Sequence, residues 1–203
     1  MQPDDPNPVR AVARWSGDGV RGIVRRVHRL LLHPASEWAA ISERLAGSLG
    51  PVLTHTGLLS LLASLVWASG QAILLPAERP VVMFLFLVSK TFALYVVSVV
   101  LVAASIFILM PAYGVARDAR RAMTVAGFGA TPFLVCGLLA AYPLFSIAMV
   151  IALPLAGYQL YVGAQAVARV RRGDAAEFAA ATMVLASFGS IASGGVLAAL
   201  GWF

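Results

Sequence analysis

The sequence predicts an all-α fold: a polytopic membrane helix bundle of five transmembrane helices, preceded by one or two amphipathic interfacial helices. Three observations lead there. First, 60% of the 203 residues are hydrophobic and only 12% are charged, whereas a soluble domain carries about a quarter charged residues. Second, the acidic residues between Pro51 and Phe203 are Glu78, Asp118, Asp174 and Glu177, all at or beside the ends of apolar runs. The uncharged stretches left between them are of the kind that cross a bilayer. Third, positive charge is divided very unevenly among the segments that join those runs.

The chain opens on a polar tail, residues 1–19, whose first eight residues hold three prolines and two aspartates and predict a flexible segment. A basic arm follows over residues 20–48. Val20, Ile23, Val24, Val27, Leu30 and Leu31 recur at three- and four-residue steps, while Arg21, Arg25 and Arg29 share another face beside Arg26. His33-Pro34 breaks this helix, and a second short one presents Trp38, Ile41 and Leu45 on one side. An Arg face set against a Trp- and Leu-bearing face describes a helix lying in the membrane interface. Each Arg close to an anionic leaflet contributes about 1 kcal/mol. Arg21, Arg25, Arg26, Arg29 and Trp38 are therefore expected to hold the arm on the lipid bilayer, against anionic headgroups; docking on a partner protein is the other reading. A nucleic-acid role is disfavoured, because few aromatics are available to stack and the apolar face requires burial.

Residues 49–203 form the membrane domain, with spans at about 51–75, 81–110, 123–141, 143–167 and 178–201. Each nears the ~20 residues that a hydrocarbon core requires, and the second is long enough that it must tilt. Only Tyr142 separates the third span from the fourth, so a tight hairpin is expected, with Pro143 in the first turn of the returning helix. In the last span Ala186, Ser190, Gly194 and Ala198 repeat every four residues, with Ser187, Gly195 and Ala199 beside them. Such a stripe lets helices approach closely.

Orientation follows from the arginines. Seven precede the first span, three follow the second (Arg117, Arg120, Arg121) and three follow the fourth (Arg169, Arg171, Arg172), against Arg79 alone on the other side. The N-terminus is thus expected in the cytoplasm and the C-terminus outside, with Trp202 and Phe203 at the outer interface. The first 50 residues lack a signal-peptide pattern, so the first span is expected to serve as the insertion signal. Arg outnumbers Lys fourteen to one, a bias associated with GC-rich bacterial genomes, and the inner membrane is the expected location.

Little in the chain suggests reaction chemistry. Cys136 stands alone, which excludes a disulfide framework or thiolate cluster. His28, His33 and His55 are scattered without carboxylates near them and make no metal site. Ser193 has no histidine at its depth to act as a base. Neither an enzyme nor a cofactor is expected. The one plainly intramembrane charge is Lys90, nine residues in from Val81 and so roughly 13 Å deep at 1.5 Å per residue. An ionisable group there is a functional candidate, with Ser89, Thr91, Tyr95 and Ser98 near enough to hydrogen-bond it. It either lines a solute path or satisfies itself on backbone carbonyls inside the bundle.

Several segments carry a resemblance. Before the first span stands Pro34-Ala35-Ser36-Glu37-Trp38-Ala39-Ala40-Ile41. Spans three and four read Phe128-Gly129-Ala130-Thr131-Pro132, then Cys136-Gly137-Leu138-Leu139, Pro143, and Tyr158-Gln159-Leu160-Tyr161-Val162-Gly163. Over roughly residues 31–168 this ordered set resembles the Yip1 family. The resemblance implies a five-span membrane protein with a cytoplasmic N-terminus. Eukaryotic members assist vesicle trafficking by contacting small GTPases and partner membrane proteins, a process that does not transfer to a bacterial chain. At the matching residues, Pro132 is expected to kink the third span, with the Thr131 hydroxyl re-satisfying backbone near the kink. A cleft between spans three and four, lined by Tyr158, Tyr161 and Lys90, is expected to follow. The function expected is a non-enzymatic scaffold or adaptor that organises partner proteins or lipids, with a membrane-protein partner or a homo-oligomer. The alternative is a small-solute or lipid transporter or channel that uses the Lys90 region.

Overall fold

The structure, a computed structural model, describes residues 19–44, 49–74, 80–139 and 147–199, and among them every regular element is helical. Two short helices come first, α1 (Gly19–Leu32) and α2 (Pro34–Arg44). The chain turns between them at His33, whose carbonyl accepts from Ser36 Oγ at 3.0 Å and from the Glu37 N–H at 3.2 Å. Pro34 opens α2, where its missing N–H would have no helical partner in any case. Glu37 lies in the first turn, against the positive end of the helix dipole.

The apolar elements follow: α3 (Gly50–Leu74), α4 (Pro80–Leu109, extended by a 3-10 turn over Met110–Tyr113), α5 (Ala119–Gly129), α6 (Thr131–Leu139), α7 (Ile147–Gly163, continued by a π turn over Ala164–Ala168) and α8 (Ala175–Ala199). Four helical stretches are long and apolar enough to cross a membrane: Gly50–Ile73, Pro80–Tyr113, Ala119–Leu139 and Val150–Ala168. A shorter apolar helix covers Ala175–Ile191. Large aliphatic and aromatic side chains such as Leu85, Phe86, Ile108 and Phe188 point outward. That is the surface expected of helices whose solvent is lipid and whose backbone groups are all paired internally.

The third stretch begins a turn earlier than its hydropathy suggests. Asp118, in extended conformation, accepts the backbone N–H groups of Arg120 at 2.9 Å and Arg121 at 3.1 Å, an N-cap. Arg120 and Arg121 therefore stand on the first turn of α5 rather than in a loop. The kink expected at Pro132 falls together with a one-residue interruption of the helix at Ala130. α5 stops at Gly129, Ala130 keeps helical dihedrals and donates to the Ala126 carbonyl at 2.9 Å, and α6 resumes at Thr131; Pro132 has no N–H to offer the Phe128 carbonyl one turn back. An interior proline is found in α7 at Pro154. The hairpin at Pro143, the tail through residue 18, Trp202 and Phe203 lie outside the described residues, as do the surroundings of Gly194, Gly195, Ala198 and Ala199.

In the bundle, α3 packs on α4, α5 and α6; α4 packs on α5 and α8; and α7 packs on α5, α6 and α8. α3 and α5 approach closely at Gly127, where a Cβ would fall 2.5 Å from Val52 Cγ1 and 2.8 Å from Thr56 Oγ1. At the end of the bundle that carries the arm, Tyr113 meets Phe178 edge to face at 5.1 Å, tying the end of α4 to the start of α8.

Candidate functional site

Phe128, near the end of α5 and fully buried, is the hub at which the arm meets the bundle. Side chains from three other helices close on its ring. The Trp38 indole of α2 meets it edge to face, with centroids 6.3 Å apart and planes at 89°. The His55 imidazole of α3 lies tilted at 4.9 Å, and the Arg26 guanidinium of α1 sits 5.7 Å from the ring centroid. Ring pairs and cations over rings of this kind add on the order of 1 kcal/mol each beyond burial.

Polar atoms around the hub are paired over long sequence separations. Trp38 Nε1 donates to Gln159 Oε1 at 2.6 Å, and Gln159 Nε2 donates to the Leu30 carbonyl. That carbonyl belongs to the last turn of α1, where no intrahelical donor is left. Gln159, a residue of α7, thus caps a helix of the arm. Trp38 rests on Gly163, where a Cβ would fall 2.8 Å from the indole Cη2; glycine is what lets the α7 backbone come so near. Directly afterwards the helix widens into its π turn and ends on Arg169 in the left-handed region, φ 61°, a geometry that costs a non-glycine residue about 1–2 kcal/mol. The arm helix α2 packs against this turn.

A second pair lies on the other side of Phe128. His55 Nε2 and Thr131 Oγ1 share a hydrogen bond of 3.0 Å, and both side chains are essentially inaccessible. His55 Nδ1 finds no partner among the described residues. The Thr131 hydroxyl therefore engages a histidine rather than the backbone at a kink.

The arm differs from the expected interfacial helix on its inner side. Trp38 has 0% exposure and faces the bundle, because its indole N–H has a buried acceptor there. Arg26 is likewise turned inward, 3.9 Å from buried Glu37, which Arg29 approaches at 3.8 Å. Arg21, Arg25, His28 and Arg29 are exposed, together with Val24 and Leu32 at 61% each.

A cleft does lie deeper in the bundle, with other walls than those expected. It measures about 360 Å³ and is bordered by Tyr95 and Val99 of α4, Gly129 and Ala130 at the break, Leu160 of α7 and Met183 of α8. Of the residues singled out around Lys90 it takes in Tyr95 and Ser98, and the Tyr95 hydroxyl lies 2.6 Å from where a Cβ on Gly137 would stand. Lys90, half-buried on α4, does not border it, nor do buried Thr131 and Pro132. Tyr158 is 50% exposed on the outside of α7, stacked on Tyr161 with centroids 6.3 Å apart.

His55, Phe128, Gln159 and Gly163 are the functional candidates that sequence reasoning missed. Trp38 and Gln159 lie 121 positions apart, so no local pattern joins them. The usable signal was that a glutamine inside an apolar span needs a partner.

The comparisons agree with this architecture. A family model described as the Yip1 domain matches residues 29–198. No curated protein and no solved structure matches the chain. The matched stretch runs from the last turn of α1 through nearly all of α8, and so holds Leu30, Trp38, His55, Phe128, Thr131, Gln159 and Gly163. A membrane-helix bundle with this arm seated in it, matched over most of its length, makes the chain a membrane protein of the Yip1 family.

Proposed function

We propose that the protein is a non-enzymatic membrane adaptor of the bacterial inner membrane, crossing it five times with its N-terminus in the cytoplasm and its C-terminus outside. The observation that carries this reading is the two-sided arm. Its inner face is fixed to the bundle through Trp38, Gln159 and Leu30, while its outer face offers Arg21, Arg25 and Arg29 beside exposed Val24 and Leu32. A basic surface that also displays aliphatic side chains suits an anionic lipid surface or an acidic, apolar patch on a partner membrane protein. Because the bundle holds this surface in one orientation, whatever binds it is positioned relative to the spans.

The test is purification from native membranes in mild detergent, with and without residues 10–32, followed by identification of what co-purifies in fixed ratio. A protein partner or anionic lipid that is recovered with the intact chain and lost with the truncated one supports the adaptor. Arg21→Gln, Arg25→Gln and Arg29→Gln together are expected to reproduce that loss, at about 1 kcal/mol per arginine for anionic lipid. Identical recovery and identical membrane distribution for intact and truncated chains would sink the proposal.

A further inference from the structure

We infer that the cleft bordered by α4, α7 and α8 is a binding site for one acyl chain of a bilayer phospholipid. Depth comes first. The lining residues begin seven positions into α5 at Ala126 and extend sixteen positions into α8 at Ile191, which is roughly 10–24 Å from the arm end at 1.5 Å per residue. This is the hydrocarbon layer of a bilayer whose core is about 30 Å thick.

The chemistry of the walls points the same way. Most of the lining is aliphatic or aromatic, and small residues such as Ala156 and Ala186 leave the space open. The serines that border it do not offer donors to a polar solute. Ser98, Ser187 and Ser190 each donate to the carbonyl four residues back on their own helix, at 2.8, 2.8 and 2.9 Å. The Tyr95 hydroxyl is turned towards Gly137. A mostly apolar cavity whose serine hydroxyls already have acceptors suits a hydrocarbon better than a polar solute, and even one of ~150 Å³ takes up an apolar molecule. Left empty, its lining would lose dispersion contacts on every side.

Access is lateral. Leu153 of α7 and Ile191 of α8 border the cleft and are 54% and 73% exposed, so the mouth lies on the α7–α8 side of the bundle, where the neighbouring medium is lipid tails. A hydrocarbon chain can enter there without leaving the bilayer, which a polar metabolite cannot do.

The test uses the full chain in phosphatidylcholine vesicles doped with phosphatidylcholine carrying a diazirine midway along one acyl chain. After photolysis, labelling is mapped by mass spectrometry. Phe133, inside the cleft, is expected to be labelled several-fold more than Val100 and Ile108 on the outward face of α4. Ala156→Phe, which fills the cleft, should remove that excess, whereas Ala104→Phe on the outward face of α4 should leave it. Should Ala156→Phe fail to fold, Ser187→Phe fills the same space from α8. Labelling of Phe133 no greater than that of Val100 and Ile108, or an excess that survives filling, overturns the assignment.

Discussion

At the scale of single residues, Gln159 has the most to do. Its amide side chain satisfies an indole N–H and a helix-terminal carbonyl at once. Gln159→Leu leaves both Trp38 Nε1 and the Leu30 carbonyl without partners, and each orphaned buried group costs about 1–3 kcal/mol. Thermal unfolding in detergent should show the loss. A double-mutant cycle with Trp38→Phe should return a coupling of about 0.5–3 kcal/mol; additivity would mean that the two side chains do not communicate. The His55–Thr131 pair makes the complementary point. Thr131→Val alone strips His55 of its hydrogen-bond partner while leaving its ring buried, an expected cost of about 1–3 kcal/mol. Replacing both, with His55→Leu and Thr131→Val, is expected to recover most of that loss, since apolar groups of similar shape need no partner.

At the scale of elements, close approach decides which helices can touch. Gly127→Val would push a branched side chain into Val52 and Thr56, and overpacking of this kind costs about 1–3 kcal/mol. Gly57→Ala, where an added Cβ meets nothing within 4 Å, is expected to be neutral or to stabilise α3 by about 0.5–1 kcal/mol. The two substitutions, compared by unfolding temperature, separate crowding between helices from the intrinsic cost of glycine. Apolar periodicity was enough to find the helices, because span length and charge exclusion are properties of contiguous sequence. It misplaced the start of α5, because capping by Asp118 draws Arg120 and Arg121 into the helix against their hydropathy. It placed Trp38 on the membrane surface, because an amphipathic pattern states that one face is buried without stating against what. It gave the cleft the wrong lining, with Tyr158, Tyr161 and Lys90 where Phe133, Leu134 and Leu160 stand, because an apolar span does not say which of its faces turns inward.

At the scale of the whole molecule, the arm is an integral part of the packing and yet is joined to the bundle at few points. Gly163→Leu would drive the Trp38 ring out of its seat while leaving the contacts among α3, α4, α5 and α6 untouched. The expected outcome is rapid tryptic cleavage after Arg26 and Arg29 with an undiminished protease-resistant bundle; an unchanged cleavage rate would mean that the arm is held elsewhere. The order in which the chain is made gives this seat a further consequence. Leu30 and Trp38 leave the ribosome 129 and 121 residues ahead of Gln159, a delay on the order of ten seconds at the usual pace of synthesis. Throughout that interval the indole N–H and the Leu30 carbonyl lack the side chain that pairs them, and the Gly163 seat is not yet made. A resting place on the membrane surface, where basic and apolar side chains are both at home, lets the nascent arm wait beside the bundle until its fourth span arrives to receive it.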